Sequence, residues 1–206
     1  MIIEIIGPPG IGKSYYGGKV LEFNQKIYSD KDISNKLTSL KKIIISIKVI
    51  SRFVTTVSFY KPILWKNNQN YFRSLLNKLI SLEFAVTNNK IYLPDEGLIS
   101  INLSIKTFFN KEIFVNNNLF KTDHYKIIIL ELDHKKNIER LSGRPYPPTW
   151  ELFKIGNNYE KIIEEYKKNI QKFIEQIDNR NVSFLNLDDY ADNNQIIERL
   201  NSLIKN

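Results

Sequence analysis

Residues 2–14 read Ile2-Ile3-Glu4-Ile5-Ile6-Gly7-Pro8-Pro9-Gly10-Ile11-Gly12-Lys13-Ser14, a short apolar run followed by the pattern G-x-x-x-x-G-K-S. A loop whose backbone N–H groups must face bound phosphates needs glycines where a side chain would block the approach of the chain. In this pattern the lysine reaches the β- and γ-phosphates and the serine hydroxyl binds Mg²⁺, while the following helix adds the positive end of its dipole. The stretch therefore predicts a strand, a loop that binds a nucleoside triphosphate, and a helix. We assign nucleotide binding to Gly7, Pro8, Pro9, Gly10, Ile11, Gly12, Lys13, Ser14 and Tyr15.

Length and composition limit the remaining possibilities. The chain has 206 residues, enough for one domain with a sizeable core, and we interpret residues 1–206 as a single domain. It contains no cysteine, which excludes disulfides, thiolate metal sites and a cysteine nucleophile, so a cytoplasmic location is the default expectation. No signal peptide is expected, because the first apolar residues belong to the strand before the loop. The most apolar run, residues 43–57, is interrupted by Lys48 and Arg52 and is too short to cross a membrane.

The formal net charge of +8 would suit contact with phosphates, nucleic acid or an anionic membrane surface. Lysines are nevertheless spread along the whole chain, and no basic run with interleaved aromatic residues marks a nucleic-acid track. We therefore interpret the charge as a solvated basic surface and do not expect nucleic acid as a partner. The oligomeric state is left open by the sequence.

Apolar runs and helical periodicities alternate along the chain. After the first strand, further strands are predicted at residues 26–29, 90–95, 125–133 and 182–187, and helices at residues 13–25, 135–143, 159–177 and 192–204. Strands that alternate with helices give an α/β fold with a doubly wound parallel sheet. The pair Gly17-Gly18 in the first helix suggests close packing against a neighbouring element.

Residues 33–89 show apolar residues at helical spacing and predict a helical insertion. Within this insertion, residues 40–57 are rich in isoleucine and valine and also suit a strand by propensity alone. Helix and strand therefore remain alternatives for this segment.

Two carboxylates follow the third predicted strand. Asp95 and Glu96 stand at a carboxyl end of the sheet, where ligands bind in open α/β folds. In phosphoryl transfer one carboxylate holds Mg²⁺, and another can accept a proton from the attacking hydroxyl or water. We assign the metal to Asp95 together with Ser14, and the base to Glu96. The two roles can exchange, because neighbouring residues of a strand face opposite ways.

Two arginines follow the fourth predicted strand, in the run Glu139-Arg140-Leu141-Ser142-Gly143-Arg144-Pro145. Arg140 and Arg144 share a helix face if the helix extends that far. Guanidinium groups on a closing segment neutralise charge on the transferring phosphoryl group and exclude water. We therefore predict a lid over residues 135–150, with Arg140 and Arg144 acting beside Lys13 in catalysis.

Weaker candidates remain outside these motifs. Asp30, at the end of the second predicted strand, could hold an acceptor hydroxyl, and Arg52 and Arg73 of the insertion could bind an acidic acceptor. His124 and His134 have no cysteine partner and no metal-ligand spacing, so we interpret them as surface residues.

With these residues the chain resembles the P-loop kinases of small molecules, in the broad thymidylate-kinase-like and nucleoside-kinase-like group. The resemblance implies a five-stranded parallel sheet in the order 2-3-1-4-5, a helical acceptor-binding region after the second strand, the cofactors ATP and Mg²⁺, and phosphoryl transfer. An Asp-Arg pair commonly follows the third strand in thymidylate kinases, and Glu-Arg-Ser or Asp-Arg-Ser does so in deoxynucleoside kinases. Here Glu-Gly follows Asp95, a form that also looks similar to kinase-like proteins of bacterial surface-polysaccharide clusters.

The leading hypothesis is an ATP-dependent kinase that acts on a small acceptor bearing a hydroxyl or phosphate group, such as a nucleoside, nucleotide or sugar. One alternative is an ATPase in which Asp95 and Glu96 activate water. Another is a sensor that binds nucleotide without turnover.

Overall fold

The computed structural model describes residues 1–53, 69–109, 125–143, 158–177 and 181–205. Its strands form one parallel sheet and are β1 (Ile2–Ile6), β2 (Ile27–Tyr28), β3 (Ile91–Tyr92), β4 (Tyr125–Glu131) and β5 (Val182–Asn186). The strand order is β2-β3-β1-β4-β5, which confirms the predicted five-stranded order. β2 and β3 are shorter than predicted, and β3 stops before Pro94, which has no N–H to donate to a neighbouring strand.

The helices alternate with these strands as the pattern predicts. They are α1 (Lys13–Phe23), α2 (Asp30–Lys36), α3 (Ser39–Phe53), α4 (Gln69–Thr87), α5 (Leu98–Phe109), α6 (His134–Ser142), α7 (Tyr159–Ile174) and α8 (Asn193–Lys205), with a short 3-10 helix at Leu187–Asp189. α3 resolves the ambiguity of residues 40–53 in favour of the helix, while residues 54–57 lie outside the described part of the chain. No element was predicted for the stretch that forms α5.

Apolar layers cover both faces of the sheet. Ile2 and Ile6 belong to a layer with α4, α5 and α7, whereas Ile3 and Ile5 belong to a layer with α1 and α8. β1 contributes to both layers because successive residues of a strand face opposite ways. The central strands are consequently buried on both sides, as is typical of parallel sheets. Among the helices of the described ranges, none combines the length and apolarity that a membrane span requires.

Candidate functional site

The loop between β1 and α1 has the bent conformation that its glycines predict. Gly10 and Gly12 have φ angles of 84° and 102°, in the left-handed region that favours glycine. The Lys13 ammonium donates hydrogen bonds to the carbonyl oxygens of Gly7 at 2.7 Å and Pro8 at 3.1 Å. The lysine side chain therefore lies along the loop, next to the backbone groups that would surround a phosphate.

An open, shallow cleft begins at this loop. Lys13, Ser14 and Asp95 all line it, so the two predicted magnesium ligands and the lysine that is predicted to bind phosphate lie on one cleft. The oxygens of Ser14 and Asp95 are hard donors that suit Mg²⁺, and both residues are exposed. Tyr15 is exposed as well, directly after the loop. The remaining lining residues are Ile5, Gly17, Gly18, Leu21, Leu93 and Pro94.

Gly17 and Gly18 form part of the α1 wall of this cleft. A Cβ atom at either position would meet no atom within 4 Å. The expectation of close packing at the glycine pair is therefore wrong. The absence of side chains here widens the cleft beside Lys13 and Ser14 instead.

Asp30 fixes the backbone that carries Asp95. It is the first residue of α2, and its carboxylate accepts hydrogen bonds from the Asp95 backbone N–H at 3.0 Å, from the Tyr92 hydroxyl and from the Lys78 ammonium. One carboxylate thus links the segment after β2, the end of β3 and α4. The acceptor role of Asp30 stays a prediction, and the structure adds a second role in positioning Asp95.

Sequence analysis missed Glu4, which is the central residue of β1. Its side chain is buried, with only 1% of the residue exposed. The carboxyl group accepts hydrogen bonds from the backbone N–H groups of Ile99 at 3.2 Å and Ser100 at 2.7 Å, and from the Tyr125 hydroxyl at 3.3 Å. Glu4 therefore connects β1 to the first turn of α5, the helix that follows the Asp95–Glu96 turn. The available signal was a charged residue inside an otherwise apolar central strand, where unpaired charges are rare.

Gly97 has no side chain, and the side chain of Glu4 occupies the space where one would lie. A Cβ atom at Gly97 would lie 2.1 Å from Cδ of Glu4, far inside van der Waals contact. A side chain at this position and a buried glutamate at position 4 are therefore incompatible. This contact gives a structural reason for the glycine that follows Asp95 and Glu96.

Burial raises the pKa of Glu4 from 4.5 to about 7, against the opposing effect of its hydrogen bonds. The folded protein therefore holds this proton more tightly than the unfolded chain does. The resulting stabilisation is complete below pH 4.5 and is lost as the pH rises through 7. Between pH 4.5 and 8 we expect the free energy of unfolding to fall by about 3 kcal/mol more in the wild type than in Glu4→Gln, which cannot ionise. Urea unfolding at a series of pH values measures this difference, and parallel profiles for the two proteins would contradict it.

Arg140 lies on α6 and reaches the first turn of α1. Burial raises the pKa of the Tyr16 hydroxyl, and the charge and hydrogen bond of Arg140 partly offset this rise. Arg140 is therefore held beside the helix that begins at the phosphate loop. α6 ends at Ser142, with Gly143 as its C-cap, while Arg144 lies outside the described residues together with the rest of the predicted lid, residues 145–150.

The other predicted residues are distributed along the chain. Glu96 is exposed beside Asp95, Arg52 lies on α3 and Arg73 on α4, while His124 falls outside the described ranges. The structure brings Lys13, Ser14 and Asp95 together.

His134 is the first residue of α6, and its side chain is 30% exposed. Its Nε2 atom is buried without a hydrogen-bond partner and lies 3.8 Å from Oε1 of Glu160. Glu164, one turn further along α7, completes a group whose ligand atoms lie within 4.8 Å of one another. The interpretation of His134 as a surface residue therefore applies to only part of the ring.

Neither a protein-family model nor a curated protein sequence matches this chain. In structure it is similar to a deoxyadenosine kinase from M. mycoides with bound dATP, with 16% sequence identity, 100% of each chain covered and a TM-score of 0.54. The same kinase with bound dCTP gives 15% identity, 100% coverage of this chain and 99% of that chain, and a TM-score of 0.50. A shikimate kinase from Bacteroides thetaiotaomicron gives 16% identity, 100% and 99% coverage, and a TM-score of 0.49. The match to the deoxyadenosine kinase shows that the chain has the fold of P-loop small-molecule kinases.

Proposed function

We propose that the protein is an ATP-dependent kinase that transfers the γ-phosphoryl group to a small acceptor bearing a hydroxyl or phosphate group. The observation that carries this proposal is the cleft at the carboxyl edge of the sheet, lined by Lys13, Ser14 and Asp95. A phosphate-binding lysine, a metal-binding hydroxyl and a carboxylate are the groups that phosphoryl transfer requires in one place.

Each residue of the cleft has a distinct role in this proposal. Lys13 binds the β- and γ-phosphates, and the oxygens of Ser14 and Asp95 would hold Mg²⁺, which offsets phosphate charge when bound. Glu96 orients the acceptor hydroxyl or removes its proton, and the roles of the two carboxylates can exchange. Arg140 and Arg144 neutralise charge on the transferring group.

Three of the predicted site residues bear on the class of acceptor. Arg52 and Arg73 lie on helices of the insertion and would favour an acidic acceptor, while Asp30 would hold a hydroxyl. The fold shared with a deoxyadenosine kinase makes deoxynucleosides the first acceptors to test, followed by nucleoside monophosphates and sugars.

The test is ADP release from Mg²⁺-ATP by the wild type, alone and with each acceptor pool, beside Asp95→Asn and Glu96→Gln. We expect release that depends on an acceptor and falls about 100-fold or more in both variants, because each loses a charge needed at the reacting groups. Glu198→Gln is the matched control, since Glu198 is an exposed carboxylate on α8, and it should react as the wild type does.

Other outcomes would replace the kinase proposal. Strong ADP release without any acceptor, lost in Glu96→Gln, would indicate an ATPase in which the carboxylate pair activates water. Tight ATP binding without release, unchanged in Glu96→Gln, would indicate a nucleotide sensor.

A further inference from the structure

A buried amide without a partner lies against the phosphate loop. Asn137, on α6, is 0% exposed, and neither its Oδ1 nor its Nδ2 atom has a hydrogen-bond partner. Buried side-chain amides are almost always paired, because an unpaired one loses its bonds to water without replacement. A fully buried amide with both atoms unpaired therefore indicates a partner that arrives in another state of the site.

The phosphate loop is the neighbouring segment that can supply a hydrogen-bond partner for the Asn137 amide. A Cβ atom at Gly10 would lie 3.2 Å from Oδ1 of Asn137 and 3.1 Å from Cβ of Leu141. The two α6 residues, one helical turn apart, thus both pack on this part of the loop. Leu141 shows that an apolar side chain is accommodated here, so packing alone does not require an amide.

The start of α6 is held firmly in this position. The Asp133 carboxylate caps the helix by accepting hydrogen bonds from the N–H groups of Lys135 at 3.0 Å and Lys136 at 3.2 Å. The Asp133 N–H donates to the Asp188 carboxylate at 2.7 Å, and the Lys136 ammonium pairs with the same carboxylate. These bonds hold the helix start in place, so Asn137 does not gain a partner by a free rotation of α6.

The loop satisfies part of its own polar groups in the described conformation. The Ile11 N–H donates to the Pro8 carbonyl at 3.4 Å, and Lys13 donates to the Gly7 and Pro8 carbonyls. Phosphates would compete for the N–H group and for the ammonium, which releases loop carbonyls. The Asn137 amide is a donor and an acceptor placed beside the loop when that exchange takes place.

We propose that Asn137 is a positioning residue whose amide pairs with the loop backbone beside Gly10 when phosphates bind, and so couples nucleotide binding to α6. The proposal rests on the proposed nucleotide binding and deepens it. Because α6 also carries Arg140, the pairing would place that arginine when the triphosphate is bound.

The test compares Asn137→Leu with Asn169→Leu in the full-length protein. Asn169 is also buried, at 4% exposure, but its amide donates to the Thr107 hydroxyl at 3.1 Å, so it is a matched asparagine with a partner. The measurements are the melting temperature of the free protein and the dissociation constants for Mg²⁺-ATP and tripolyphosphate by calorimetry. Asn137→Ala accompanies the leucine variant, because it removes the amide without adding bulk.

We expect both Asn137 variants to bind ATP and tripolyphosphate about tenfold more weakly, the effect of losing one hydrogen bond. Asn137→Leu should melt no lower than the wild type, because it removes an unpaired amide. Asn169→Leu should melt lower and keep wild-type affinities.

Wild-type affinities in both Asn137 variants would overturn the inference and leave the proposed function intact. A melting temperature of Asn137→Leu as low as that of Asn169→Leu would also overturn it, because the amide would then be paired in the free protein. A wild type that binds neither ATP nor tripolyphosphate would overturn the proposed function and this inference with it.

Discussion

Lys13→Ala is expected to lower acceptor-dependent ADP release by about a thousandfold, the largest effect on catalysis of any single change in the chain. The lysine supplies a positive charge next to the loop backbone, where its ammonium lies 2.7 Å from the Gly7 carbonyl oxygen. Alanine carries no donor, so the charge on the phosphoryl oxygens in the transition state would lose this partner. Initial rates with saturating ATP and the best acceptor measure the loss.

Two variants make this result specific. Lys13→Arg keeps the charge but replaces a compact ammonium with a planar fork, and we expect it to stay strongly impaired. Lys19→Ala, on the same helix, removes an exposed lysine that pairs with Glu22, and should retain wild-type activity. Activity above one tenth of the wild type in Lys13→Ala would contradict the assignment of this lysine to the transferring phosphates.

Gly97→Ala is expected to have the largest effect on stability, a loss of about 3 kcal/mol in the free energy of unfolding. The new methyl group would lie 2.1 Å from Cδ of Glu4, and the buried carboxyl group would have to leave its hydrogen bonds to α5. Urea denaturation measures the loss. Gly18→Ala is the matched control, because its methyl group meets no atom within 4 Å and should stabilise the helix by up to about 1 kcal/mol.

A double-mutant cycle separates the clash from other effects of alanine. Glu4→Ala removes the side chain that the new methyl group strikes, so adding Gly97→Ala to it should cost little further stability. We expect an interaction energy of about 2 kcal/mol or more between the two positions. Additive losses would show that Gly97 is required for some reason other than the space occupied by Glu4.

The parts of the fold that could be predicted are those with local signals. The composition and glycine spacing of residues 2–14 predict the strand and the loop. The apolar residues of α7 recur at helical spacing and predict a helix. The strand order came from the resemblance to P-loop kinases, which those motifs support. It was confirmed in full.

α5 was not predicted because the group that caps its first turn is not local in sequence. The N-cap residue before the first turn of a helix is often serine, threonine, aspartate or asparagine. Here Gly97 precedes Leu98, and the N–H groups of Ile99 and Ser100 donate hydrogen bonds to the Glu4 carboxyl group, which is distant in sequence. The capping group is present in the fold and absent from the neighbouring sequence.

Contacts between residues that are distant in sequence also position the groups of the site, and such contacts could not be predicted. Asp30 could be placed at the edge of the sheet, but its bond to the Asp95 N–H joins positions 65 residues apart. Asn137 carries no motif, and it differs from an ordinary helix residue by its burial against Gly10 and its unpaired amide. Motifs therefore indicated the groups that would touch phosphates, while the residues that position them required coordinates.

The central place of β1 in the sheet has a consequence for the order in which the chain assembles. β1 precedes the other described strands in sequence, yet its neighbours are β3, where Ile2 pairs with Tyr92, and β4, where Ile2 pairs with Tyr125. The strand that leads into the phosphate loop can therefore complete its pairing only after β4 has been synthesised. Contacts so distant in sequence form slowly and leave apolar strands exposed in the meantime. The phosphate loop, although local in sequence, is therefore supported by both neighbours of β1 only after β4 has joined the sheet.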